Sequence, residues 1–316
     1  MNIEYEDNSD FAEFNTPRIY LEENKYVDKS AAKNSGYIDL KILTVSNLAV
    51  GNGMFSKDKV GLYKDIMTNG EYPIIPGSSL KGAVRHIANI VSDGCIKAKS
   101  GRKYIIDVPN ANLKCDVKNK CIICDMFGMM KVKSKLTFSD AVSKSAKTKV
   151  FNVNCQHSPK LTVAKYCNVE KGPRNNVGKL KGYKLYCNKV KKYDAYKKIR
   201  IKAILPGAEF NTRIFFNDLT DKELELLCFA LGCTKTFNLK LGGFKNEGYG
   251  QVEISGNVIM DGKSVDAKLY AENYKNKYKE FSRSITDVEE IMYPYIDGVK
   301  KWIRENYWIQ HMDYIV

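Results

Sequence analysis

Three of the nine cysteines crowd into Cys115-x5-Cys121-x2-Cys124, with Cys95 upstream and His86 before it. A two-residue gap lets two thiolates grip one ion, and a third close by completes most of a tetrahedral set. This spacing predicts a closed, structural zinc site with Cys115, Cys121 and Cys124 as ligands. The fourth position falls to either His86 or Cys95. A second constellation is GSSLKGAVR, Gly77 to Arg85, where Pro76-Gly77 turns the chain and Ser78 or Ser79 is expected to cap a helix. Free N–H groups at such a helix start can hold a phosphate, and Lys81 and Arg85 stand one turn apart behind it. A third is GGFKNEGYG, where Gly242, Gly243 and Gly248 let a ligand approach the backbone and Lys245 adds charge. Asp58 and Asp65 are the carboxylates set among glycines and cations, where an acid can orient a hydroxyl or a metal-bound water beside a phosphate.

Several chemistries are excluded. The glycine loop is followed by no Gly-Lys-Ser/Thr and runs into a strand, so it is neither a P-loop nor a dinucleotide fingerprint. His157 and His311 are isolated, and no Gly-x-Ser-x-Gly occurs. No apolar run approaches the length of a membrane span, and the acidic MNIEYEDNSD start is unlike a secretory signal, so a cytoplasmic protein without a membrane partner is expected. There the cysteines would stay reduced, for metal or for burial.

Net charge is +15, and its distribution is lopsided. From Lys144 to Arg200 there are sixteen Lys or Arg and two acids, Glu170 and Asp194. Tyr166, Tyr183, Tyr186, Tyr193 and Tyr196 are interleaved with them. Cations mixed with aromatic faces suit a single-stranded polyanion whose bases can stack.

The elements that must position these residues follow from periodicity. Residues 37–50 alternate as a strand, and Leu80, Val84, Ile87 and Val91 recur at helical spacing. KLTFSDA reads as a strand, and residues 197–220 as two strands joined by a Pro-Gly turn. Thr220 caps the helix DKELELLCFALG, and a strand follows the glycine loop. Without its insertions this is a β-α-β-β-α-β plan, so an α+β, ferredoxin-like fold is expected. The organisation is then an N-terminal extension (1–36), a core (37–256) with a cysteine insertion at 95–125 and a basic insertion at 144–200, and a C-terminal extension (257–316) ending in one or two helices.

Taken in order, IIPGSSLKGAVR at 74–85, CDMFGMMKVKSKLTFSDA at 124–141, FNDLTDKELELLCFALG at 216–232 and KLGGFKNEGYGQVEI at 240–254 resemble the RAMP superfamily of CRISPR-associated proteins, above all the backbone (Csm/Cmr-like) subunits of type III complexes. That resemblance implies a modified RNA-recognition fold with a thumb-like hairpin, here tract 144–200. It implies binding to a guide RNA (crRNA) and its complementary single-stranded target, and contacts with other complex subunits, including copies of itself. Ser78, Ser79, Lys81, Arg85, Gly242, Gly243, Lys245 and Gly248 match positions along the guide. Asp58 and Asp65 match acidic positions tied in cleaving subunits to Mg or Mn-dependent target cutting, with Lys59 at the strict position. A histidine-plus-three-cysteine zinc in some relatives matches His86, Cys115, Cys121 and Cys124. A capping subunit without chemistry and a guide-processing ribonuclease are the alternatives.

Overall fold

The computed structural model describes residues 9–12, 33–95, 104–106, 115–156, 167–171, 176–180, 182–188 and 197–295. Its centre is an antiparallel sheet. Strand β1 (Asn34–Thr44) leads through a long hairpin to helix α1 (Gly77–Ile90), and the short β2 (Leu136–Phe138) follows. Strand β3 (Glu209–Leu219), helix α2 (Asp221–Ala230) and β4 (Gln251–Met260) complete the β-α-β-β-α-β order. In space β4 pairs with β1, β1 with β3, and β3 with β2, all antiparallel. Sequential strands are thus interleaved, and the fold is α+β and ferredoxin-like as expected.

Alternation decides which face is covered. Ile38, Leu40 and Ile42 of β1, Phe210 and Ile214 of β3, and Val252, Ile254 and Val258 of β4 are buried, while Asp39, Lys41, Asn211 and Arg213 point away. Against the buried row lie Leu80, Val84 and Ile87 of α1 and Leu224 and Leu227 of α2. Each such side chain contributes about 1.5–3 kcal/mol of burial. Helix α2 starts with a capping box: the Glu223 N–H donates to Thr220 Oγ1, and the Glu223 carboxylate accepts from the Thr220 N–H.

One expectation about local structure is corrected. Neither Ser78 nor Ser79 caps α1; the N-cap is Pro76, and the Gly77 N–H donates to Asp140 Oδ1 at 2.7 Å. A β-carbon at Gly77 would lie 2.1 Å from the Phe138 carbonyl oxygen, so the helix starts pressed against the chain leaving β2. The runs before and after the Pro-Gly turn do form strands, Lys198–Ile204 and β3, but they do not pair with each other. Lys198–Ile204 joins a second sheet of four strands, in the order Gly51–Lys57, Leu62–Ile66, Lys198–Ile204, Thr148–Asn154.

The basic tract is divided likewise. Its two ends lie in that second sheet, Cys167–Lys171 and Asn176–Leu180 form a hairpin joined by Tyr104–Ile106, and Tyr183–Tyr186 pairs with Ser9–Ala12. Part of the acidic N-terminal segment is therefore built into the fold, with Ala12 fully buried. Tyr166, Tyr193 and Tyr196 lie outside the described residues, as do His157 and His311. Two further helices, α3 (Ala267–Lys277) and α4 (Ser282–Ile291), close the apolar side through Tyr274, Ile285 and Val288. Among the described residues no helix is long and apolar enough to cross a membrane.

Candidate functional site

Helix α1 carries three different flanks because its side chains advance about 100° per residue. Leu80, Val84 and Ile87 face the core. On one flank Lys81 donates to Ser134 Oγ at 2.8 Å and to the Leu136 carbonyl at 3.2 Å. Arg85 donates to the Gly128 carbonyl at 3.0 Å, and its guanidinium lies 5.9 Å from the Phe127 ring centroid. Both expected guide-facing cations are thus engaged with segment 124–136. Burial and the neighbouring Arg85 charge lower the Lys81 pKa. Ser78 is exposed in the first turn.

The other flank opens onto a cavity of about 500 Å³, lined by Ser79, Gly82 and His86 of α1 and by Gly242, Gly243 and Lys245 of the glycine loop. Lys184, Tyr186 and Lys240 supply the remaining polar wall, and among the described residues no carboxylate lines it. The loop is held close by its glycines. Gly242 has φ +75°, and a β-carbon there would lie 2.4 Å from the Ala49 carbonyl oxygen. At Gly250, with φ +88°, the same atom would meet the Leu241 oxygen at 2.1 Å. Between them Phe244 is left-handed at φ 57°, uncommon for a bulky residue, and Gly248 ends the short Lys245–Glu247 turn.

Sequence reasoning missed Lys240. It is 3 % exposed, and its ammonium donates to the Cys187 carbonyl at 2.6 Å and the Lys245 carbonyl at 2.9 Å. Burial pushes its pKa down to about 7, with the Lys245 charge adding to the effect. Burial also lowers Lys245. His86 Nε2–H donates to the Lys184 carbonyl at 3.2 Å, and the ring meets Tyr183 edge-on. Its pKa is lowered by loss of solvent around the ring, and Lys245 depresses it further. The Lys245 charge thus depresses both Lys240 and His86, and among the described residues no acid in the wall offsets it, an electrostatic setting that favours an anion. The one sequence signal for Lys240 was its place in the apolar run NLKLGG.

The cysteines converge. The sulfurs of Cys95, Cys115, Cys121 and Cys124 all lie within 4.8 Å of one another, and those of Cys95 and Cys124 are 3.6 Å apart. A tetrahedral zinc with bonds of about 2.3 Å holds its sulfurs roughly 3.8 Å apart, so the donor set fits such an ion. Of the two candidates for the fourth position, Cys95 is the one that joins the group, and His86 lines the cavity. Helix Ile122–Phe127 carries Cys124 and is capped by Cys121, whose sulfur accepts from the Cys124 N–H at 3.4 Å and the Cys95 N–H at 3.3 Å. Hydrogen bonding from Cys115, Cys124 and Cys95 holds the Cys121 thiol far below the ordinary range, favouring the ligating thiolate. Lys135 bridges Asp125 of this helix, at 2.5 Å, to Glu223 of the capping box, at 3.1 Å, and so ties the cysteine group to the core. The four cysteines can hold a metal such as zinc. Among the described residues no carboxylates gather into a comparable group for Mg or Mn.

Asp58 and Asp65 belong to the hairpin Gly51–Ile66. Arg200 grips Asp58 with two bonds, 2.8 and 2.6 Å, and the Val60 and Gly61 N–H groups donate to the same carboxylate. The Arg200 guanidinium chiefly holds the Asp58 pKa far below the usual carboxylate range. Partial burial of Asp65 raises its pKa, but Ser56 Oγ at 2.6 Å, the Ile66 N–H and Lys202 outweigh this and the net shift is downward. Both carboxylates are ionised and engaged, and neither lines the cavity, although Gly51 of the same hairpin does.

A ferredoxin-like α+β sheet with a cation-lined cavity between its first helix and a glycine loop defines the class of protein. A model of the RAMP superfamily matches residues 41–253, from β1 to the start of β4. The chain belongs to the RAMP superfamily, a CRISPR-associated, RNA-binding class. Comparison with curated proteins gives no significant match.

The cysteine geometry makes one firm expectation. Protein purified without added metal should carry about one zinc per chain by elemental analysis. Cys95→Ser should lose most of it, and His86→Ala should keep it; the reverse pattern would show the histidine to be the ligand.

Proposed function

We propose that the chain is a guide-RNA-binding subunit of a type III-like CRISPR complex, of the kind that repeats along the guide and meets complementary RNA through it. The observation that carries this reading is the acid-free cavity where Ser79 and the His86 flank of α1 meet Gly242, Gly243 and Lys245. Amides, a hydroxyl and ammonium groups of this sort bind phosphate without reading a base. Lys240 fixes the loop and adds charge beneath it, while Lys81 and Arg85 act on the RNA by holding α1 against segment 124–136. Membership of the superfamily supports partners among the other subunits of such a complex and copies of the chain itself, in the cytoplasm.

Target cutting is assigned to Asp58, with a divalent ion brought in alongside the RNA phosphate. For that carboxylate to act, Arg200 must release it, and an arriving phosphate competes for the same guanidinium.

Four measurements test this. Lys245→Glu should weaken binding of unrelated single-stranded RNAs alike and reduce the salt slope by about one, with an unchanged melting temperature. Lys81→Glu with Arg85→Glu should lower melting temperature and affinity together; sequence-selective loss in either variant would contradict backbone grip. Affinity should also fall as pH rises through about 7, because Lys240 then loses its proton beside His86, Lys184 and Lys245. Lys240→Arg should remove that fall. Asp58→Asn should abolish metal-dependent cutting of a complementary RNA while guide binding survives; undiminished cutting would move the chemistry away from Asp58, and no cutting by the parent chain would leave a capping role as the better reading.

A further inference from the structure

The hairpin that carries Asp58 has an exposed apolar surface that neither the fold nor the cavity uses. Phe55 is 58 % exposed and Leu62 62 %, on strands of a sheet edge. Register places them on one face: Phe55 lies opposite Lys64, and Lys57 opposite Leu62. The row continues across the sheet, because Lys64 neighbours Ile201 and Ile201 neighbours Phe151. Cross-strand partners share a face, so Phe55, Lys64, Ile201 and Phe151 lie on one face, which is exposed at Phe55 and covered at Ile201, where Tyr249 packs. Lys149 stands over Phe151, 5.7 Å from its ring centroid.

Charge on this sheet is one-sided. Asp65 is the single acid in its four strands, with Asp58 in the connecting turn, and both are held by Arg200 and Lys202 on the opposite face. Among the described residues no carboxylate pairs with Lys57, Lys64 or Lys149. The row is also continuous with the glycine loop: Phe151 meets Tyr249 edge-on at 6.3 Å, and left-handed Phe244 meets Tyr249 at the same distance. An exposed Phe55–Leu62 patch with Lys57 and Lys64 beside it fits a chain that alternates flat bases with phosphates.

We infer that the Phe55–Leu62 face of this hairpin is a stacking surface for unpaired bases of single-stranded RNA, adjoining the backbone-binding cavity. This rests on the RNA reading above and adds a contact to bases at a place where that reading has only phosphate contacts. Stacking tolerates any base, so the surface adds affinity without sequence preference.

The test uses the full chain and two probes of equal charge, a 12-nucleotide oligouridylate and an abasic 12-mer with the same ribose–phosphate backbone. Phe55→Ala with Leu62→Ser should bind the oligouridylate about tenfold more weakly than the parent chain and the abasic strand equally well. Phe55→Trp should restore the difference, which excludes a folding defect as its source. Equal losses on both probes, or no loss on either, would overturn the inference. So would an unchanged RNA affinity accompanied by a fall in sedimentation coefficient, which would assign the face to a second copy of the chain. Loss of both probes in Lys245→Glu, with no base-dependent effect at Phe55, would leave the backbone reading standing and remove this one.

Discussion

The packing of α1 is the constraint on which the rest depends. Once Leu80, Val84 and Ile87 are committed to the sheet, helical geometry fixes the directions of every other side chain. Lys81 and Arg85, four residues apart, must share a flank, and there they meet the Gly128 and Leu136 carbonyls. Ser79, Gly82 and His86 must share another, and that is the flank left open. The smallness of Gly82 is part of the device, because a longer side chain would project into the cavity. The helix start is held separately, by the Asp140 carboxylate on the Gly77 N–H. A phosphate therefore does not meet a vacant helix N-terminus here. It meets a helix flank and a loop, with an acid already at the helix start.

The cysteine group and the cavity sit on either side of this helix and serve it in different ways. Arg85 reaches from α1 towards Cys124 Sγ, 4.0 Å away, and Lys135 links the neighbouring Asp125 to the cap of α2. A metal in the cysteine group would stiffen segment 115–136, which receives Lys81 and Arg85. Burying Lys135 costs desolvation, but two carboxylates face it and its pKa is raised on balance. The metal centre is thus read as support for α1, distant in role from the RNA it helps to orient.

Much of this was legible in the sequence where the cause was local. The β-α-β-β-α-β order follows from alternation and helical spacing, and the Thr220 capping box is written within four residues. The cysteine group was legible from the tight Cys121–Cys124 gap, but its fourth member depends on how a long segment folds back. What stayed hidden was set at long range. A Pro-Gly turn between two alternating runs reads as a hairpin, yet Lys198–Ile204 and β3 each find a better partner elsewhere. The Asp140 cap lies 63 residues from Gly77. Lys81 and Arg85 looked exposed because the wheel has two polar flanks, and only tertiary packing distinguishes them.

Lys240 shows why the cavity reads as functional. An isolated ammonium in an apolar strand costs several kcal/mol unless something offsets it, and two backbone carbonyls offset only part. For stability alone, an apolar residue between Leu239 and Leu241 would serve better. Its depressed pKa near 7 records the unrecovered part of that cost. An anion in the cavity would recover it, raising the pKa and tightening the Lys245 turn that Lys240 holds through its carbonyl. The same turn follows Phe244 in its left-handed conformation, and Phe244 packs on Tyr249 beside the second sheet. The glycine loop thus joins the cavity, through Lys245, to the aromatic cluster of Phe151, Phe244 and Tyr249 on the second sheet.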